Sequence, residues 1–183
     1  MRRAPAFAGE LLNYAMTEQA RTSGDFIEVA ESPHTGYVRV HGSATFKLAG
    51  SLRDFVNRQL EAGRHGVLID LGQCDTMDST FVGTLTSLTL ACRRSHKGCL
   101  KLFNVGPHLR DILATLGLTR ILDIVEPADI NSSVEFGEIS PAASSKVAVA
   151  QLMLDAHETL AELSERNALE FKNVIDYLRA KLG

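Results

Sequence analysis

VLIDLGQCDTMDSTFVGTLTSLTL, residues 67–90, decides how the rest of this 183-residue chain is read. Val67, Leu68 and Ile69 form an apolar run fit for a central strand buried on both faces. From Phe81 the period changes. Phe81, Leu85, Leu88 and Cys92 recur at helical spacing, which makes one inward stripe. Ser79 and Thr80 fall at or just before the helix start, where hydroxyl oxygens cap free backbone N–H groups. No residue from Ser79 to Cys92 carries a formal charge. A surface helix normally has a charged outer face. This one, offering Gly83, Thr84, Thr86, Ser87 and Thr89, reads as a docking surface with a modifiable serine at its tip.

Before this stretch, residues 26–30 and 37–41 alternate as two strands around a turn at 31–36, an antiparallel hairpin. Residues 42–50 read as a loop whose polar members are Ser43, Thr45 and Lys47. A helix follows, opened by a capping-box-like pair of Ser51 and Asp54 and closed by Gly63, with Leu52, Phe55, Val56 and Leu60 on one face. After the central helix, Arg93, Arg94, His96 and Lys97 suit a helix C-terminus and Gly98 breaks the chain. Residues 100–104 read as a strand, and Pro107 opens a helix buried through Leu109, Ile112, Leu113 and Leu116. A short strand at 121–125 completes an α/β layer architecture.

The expected organisation is an N-terminal arm at 1–24, an α/β domain at 25–128, a linker at 129–143 and a helical extension at 144–183. In the extension, Val149, Leu152, Ala156, Leu160 and Leu163 line one side of a helix. Asn167 with Glu170 offers a second capping box before Phe171, Val174, Ile175, Leu178 and Leu182. Two helices alone are too short to fold well. They must pack on the α/β block, on a second copy or on a partner.

Composition removes several functions. A net charge of −3 gives no basic field for nucleic acid, and aromatics at 6% with no Trp give no base-stacking platform. Arg2 and Arg3 are not followed by an apolar signal-peptide core, and no segment approaches a membrane-spanning length. Cys74, Cys92 and Cys99 lack metal or redox spacing and read as reduced thiols, consistent with a cytoplasmic protein. The six histidines are scattered. Phosphate-binding glycine motifs are missing, and Ser79 lacks the glycines of a nucleophile elbow. Asp70, Asp75 and Asp78 flank the end of the central strand, where a metal or phosphoryl site would form in an enzyme. The same carboxylates also suit loop bonding and helix capping. The expectation is a protein that is not an enzyme and uses no metal or cofactor.

Ser79 carries the remaining chemistry. A phosphoryl group there would meet free N–H groups and the positive end of the helix dipole, and would add a charge of roughly −1.5 to −2 to a neutral face. On chemistry alone it reads equally well as a plain N-cap.

The block from about residue 26 to 125 resembles a STAS domain, the fold of bacterial anti-sigma-factor antagonists. The resemblance is carried by Asp70-Leu71 through Met77-Asp78-Ser79-Thr80 to Gly83 and Leu85, with support from Gly106-Pro107, Leu113 and Gly117-Leu118. It implies a small mixed β-sheet packed with helices. It also implies that Ser79 is the residue phosphorylated by a partner serine kinase that is itself an anti-sigma factor. Asp78 and Thr80 flank the phosphoacceptor in the matching motif. With Thr45 from the loop after the second strand, and Phe81, Gly83, Thr84 and Ser87 along the helix, they make up the expected partner face. Phe81 stands where the family often has Gly, and the loop Gly42-Ser43-Ala44-Thr45 departs from the common pattern. The alternative is a constitutive interaction or scaffold module that is never phosphorylated and assembles, as a homodimer, through the C-terminal helices.

Overall fold

The computed structural model describes residues 24–95, 99–125, 134–139 and 144–183. The expected arm, apart from Gly24, and most of the expected linker lie outside these residues. β1 (Phe26–Glu31) and β2 (Thr35–Ala44) form the antiparallel hairpin, with Val29 opposite Val38. The Ser32 hydroxyl holds its turn, bonding the backbone N–H and carbonyl of Thr35 at 3.1 Å each. β3 (Gly66–Met77) runs parallel to β2, β4 (Cys99–Phe103) parallel to β3, and β5 (Asp123–Ile124) parallel to β4. β6 (Gly137–Ile139) pairs antiparallel with β1, so the sheet order is β5-β4-β3-β2-β1-β6. Residues 137–139 therefore belong to the sheet, although their composition reads as linker.

Two further boundaries differ from the sequence reading. β3 continues well past Asp70, because Gly42 to Ala44 of β2 extend alongside it as far as Met77. α1 spans Phe46–Glu61 and starts six residues earlier than the Ser51 cap would have it. Ser51 lies buried inside that helix, and Thr45 is the N-cap residue, without a side-chain cap bond. Gly42 takes a left-handed φ of 67° at the register shift in the β2–β3 pairing, a conformation that glycine adopts without strain.

α2 (Ser79–Ser95) follows β3, and α3 (Pro107–Thr115) follows β4 with Pro107 in its first turn. α4 (Lys146–Ala161) and α5 (Glu165–Leu182) form the C-terminal pair. Their caps are Ser145, accepting from Ala148 N at 3.1 Å, and Ser164, accepting from Asn167 N at 3.2 Å. Ser164 thus takes the role assigned to Asn167. α4 and α5 pack on each other as an αα-hairpin, and α4 lies along α2. The molecule is a mixed sheet, a helical layer and an outer helical hairpin. One continuous core joins Ile27, Val40, Ile69 and Leu102 of the sheet, Leu52, Phe81 and Leu109 of the helical layer, and Leu152, Leu160 and Ile175 of the hairpin.

The other face of the sheet is polar. Strand alternation turns Arg39 and His41 away from the core that Val38 and Val40 enter. There Glu28 sits 3.2 Å from the Arg39 guanidinium and 3.1 Å from His41 Nε2, and Asp70 lies 3.7 Å from Arg39 on the other side. The Phe136 ring covers the Arg39 guanidinium at 4.0 Å.

Candidate functional site at the head of α2

Asp78 fixes the junction between β3 and α2. One carboxylate oxygen accepts from Phe81 N at 2.8 Å, the geometry of an N-cap, and the other accepts from Phe46 N at 2.8 Å. Its own N–H donates to Ala44 O at 3.0 Å. A single residue therefore serves two helix N-termini through its carboxylate and holds the end of β2 through its backbone N–H. The cap is Asp78, not Ser79 or Thr80, and its second bond brings Thr45 to the site.

Ser79 is the first residue of α2 and is half-buried. Its Oγ lies 2.9 Å from Nε2 of His157, a buried side chain of α4. His157 Nδ1 lies 2.7 Å from the carbonyl oxygen of Met153, which can only accept. Nδ1 thus carries a proton, and in the neutral imidazole Nε2 is the acceptor to which the Ser79 hydroxyl donates. The edge of Phe171 packs on the same imidazole, ring centres 5.3 Å apart. Beside Ser79 a cavity of about 460 Å³ opens between α2, α3 and α5, lined by Val82, Ile112 and Phe171 with His108, Asp111 and Arg166 around it.

The neutral face of α2 is not open to solvent. Thr80, Gly83, Thr84, Thr86 and Thr89 are buried and Ser87 is half-buried. The hydroxyls of Thr84, Thr86 and Thr89 donate to the carbonyls of Thr80, Val82 and Leu85, at 2.8 to 2.9 Å. Gly83 faces Ala156 so closely that an added methyl group would be driven into the Ala156 carbonyl and stand 2.8 Å from its Cβ. Phe81, fully buried, belongs to the core. The reading of the α2 face as an exposed docking surface is corrected accordingly: the helix lacks charge because the sheet covers one side and α4 the other.

The sequence reading places Ala156 on an apolar stripe and Asn167 in a cap, and links neither these nor His157 to the site. Asn167 Nδ2 donates to Leu160 O at 3.0 Å and Leu116 O at 3.1 Å, tying α5 to the ends of α4 and α3. Gly83 was the available signal: glycine inside a helix costs about 1 kcal/mol against alanine and commonly marks a close backbone approach. The three aspartates are apart in role. Asp70 accepts from Gly72 N and Asn104 Nδ2 at 2.9 Å each, and Asp75 is exposed. No group of three metal-ligating side chains occurs among the described residues. Burial pushes the Cys74 thiol up to about 11 and raises that of Cys92 as well.

Residues 27–126, more than half of the chain, match the family model described as "Mlab, STAS domain". The chain belongs to this STAS-domain family. Among solved structures it is similar to the anti-sigma factor antagonist SpoIIAA in its unphosphorylated form, at 20% identity over 55% of this chain and 89% of that one, with a TM-score of 0.45. An anti-sigma factor antagonist from Mycobacterium paratuberculosis matches at 16% identity over 55% and 85% of the two chains, with a TM-score of 0.46. A sulfate transporter family protein from Wolinella succinogenes matches at 18% identity over 48% and 70%, with a TM-score of 0.43. The family assignment rests on the family model, not on these distant likenesses. No curated protein matches the chain. The STAS block spans the sheet from β1 to β5 with α1 to α3, and the α4–α5 hairpin lies beyond it. No helix among the described residues is long and apolar enough to cross a membrane.

Proposed function

We propose that this STAS protein is a non-enzymatic, cytoplasmic regulatory module of the antagonist kind. It binds a partner of the serine kinase or anti-sigma-factor type through the face that Ser79 heads, and Ser79 is the phosphoacceptor. The observation that carries this reading is the position of the hydroxyl: first residue of α2, half-buried, on the edge of a cavity, beside a carboxylate that already anchors two helices. A phosphoryl group there would lie at the positive end of the helix dipole and would find room in the cavity. It would also end the donation to His157, because the esterified oxygen has no proton to give. Its charge of roughly −1.5 to −2 then rejects whatever fits the neutral form. Thr45, Asp78 and Thr80 frame the acceptor, and Gly83, Thr84 and Ser87 continue the proposed partner face along α2, with Gly83 and Thr84 buried in the closed chain.

The test is incubation with ATP and a Ser/Thr kinase of the anti-sigma type, with phosphate located by mass spectrometry. Phosphate on Ser79 is expected, together with loss of partner binding in Ser79→Asp. An unmodified Ser79 with Ser79→Asp binding as wild type would overturn the reading. It would leave the second one, a constitutive STAS interaction module, which the existing hydrogen bond between Ser79 and His157 favours.

A further inference from the structure

The face of α2 that a partner would use already holds an occupant from the same chain. Ala156 of α4 crosses α2 at Gly83, and the next residue, His157, accepts the Ser79 hydroxyl. The hairpin that makes these contacts lies outside residues 27–126, the block matched by the STAS family. Its helix ends and part of its inner packing are satisfied within the hairpin, although its apolar side joins the shared core. Ser145 and Ser164 cap its two helices, and Arg179 of α5 bonds Glu158 of α4 at 2.7 Å.

We propose that residues 146–182 are a cis-acting competitor for the α2 face: docked, they close the module, and a partner gains that face and Ser79 only by displacing them. The identity of the partner face rests on the function proposed above, whereas the closing contact does not. Three observations support an exchangeable contact. First, the Thr84, Thr86 and Thr89 hydroxyls are satisfied within α2 itself, so wetting or covering any side of this helix strands none of them. Second, much of the polar fastening to the STAS block is light: the Ser79–His157 bond and the Asn167 bond to Leu116 O. Third, the crossing is set by backbone proximity at Gly83, a contact that any helix with a small residue can make.

The occupant also defines what fits. A competing partner presents an α-helix with Ala, Gly or Ser over Gly83, followed directly by an acceptor side chain such as His, Asn or Gln opposite Ser79. It brings no charge over Gly83, where a buried charge would lack a counter-ion.

The test uses the full chain and needs no partner. Ser79→Cys is placed in a Cys99→Ser background, Cys74 and Cys92 being buried. Labelling at position 79 is followed with a maleimide carrying a polyethylene glycol chain too bulky for the cavity. Gly83→Ala is then added, which favours α2 as a helix while pushing Ala156 away. The labelling rate is expected to rise about tenfold or more. Hydrogen exchange should rise across 146–182 while the β2 and β3 amides stay protected. Asn167→Ala, which loosens α5 from α3, should act in the same direction and covers the case of Gly83→Ala failing to fold. Fast labelling that is equal in all variants would overturn the proposal, as would a hairpin and sheet that lose protection together. Failure of Ser79 to accept phosphate changes none of these readouts, so the two ideas fail separately.

Discussion

Asp78 joins more structure than any other single side chain at the site, because its two oxygens serve the N-termini of two helices. Asp78→Ala removes both bonds, and a loss of about 2 kcal/mol in chemical denaturation is expected, above the roughly 1 kcal/mol of an ordinary cap. Asp78→Asn keeps acceptor capacity on one oxygen only and should fall between. The cysteines give a pH-dependent companion. The Cys74 value of about 11 in the fold stands above its ordinary 9.0, so the fold favours the protonated thiol. That stabilisation is whole below pH 9 and is lost as pH rises from 9 towards 11, an effect of about 2 kcal/mol measurable by urea titration across that range. Cys74→Ser should flatten the alkaline limb. At pH 8, Cys99 alone is exposed and should react with a thiol reagent while Cys74 and Cys92 wait for unfolding.

Among the elements, α2 is the one whose surroundings contradict its outward appearance. A helix bearing four threonines looks polar, yet Thr84, Thr86 and Thr89 spend their hydroxyls on their own backbone. Thr86→Val should therefore change stability by less than about 1 kcal/mol, since no donor or acceptor is left without its helical partner. A larger loss in thermal or chemical unfolding would mean that the hydroxyl has a second role. Most elements were legible because their periodicity and punctuation agree: β1, β2, α3 and the two C-terminal helices lie close to where their apolar patterns put them. The boundaries that escaped were settled at long range. Phe46 enters a helix because Asp78, remote in sequence, accepts its N–H. Residues 71–77 stay extended because β2 runs beside them. Gly137 to Ile139, too short for a periodic signal, become a strand by pairing with β1. For the site, the motif around Ser79 could be read locally. Its contact with His157, carried on a helix outside the domain, could not.

For the whole molecule, the apolar side of the hairpin is spent within one chain. Leu152, Leu160, Phe171, Ile175 and Leu178 are buried in the shared core. The proposal of a homodimer through these helices would need the hairpin to leave its own helical layer. Light scattering of the full-length protein should therefore give the mass of a single chain, and a dimer would point to exchange of the hairpin between copies. The row of buried Glu28 and half-buried Arg39 and Asp70 lies on the opposite side of the sheet from this contact. Displacing the hairpin thus leaves those charges where they are.

The crossing of α2 by α4 at Gly83 and Ala156 also constrains how this sequence can drift. An ordinary amphipathic helix tolerates replacement on its wet side, so its variability rises and falls with each turn. α2 is walled on both sides and has little such freedom. Lineages that carry the hairpin should keep α2 nearly uniform, with glycine at 83 and a small residue at 156 inherited as a pair. A lineage that lost the hairpin would be free to place charges on α2, starting at the positions that now face α4.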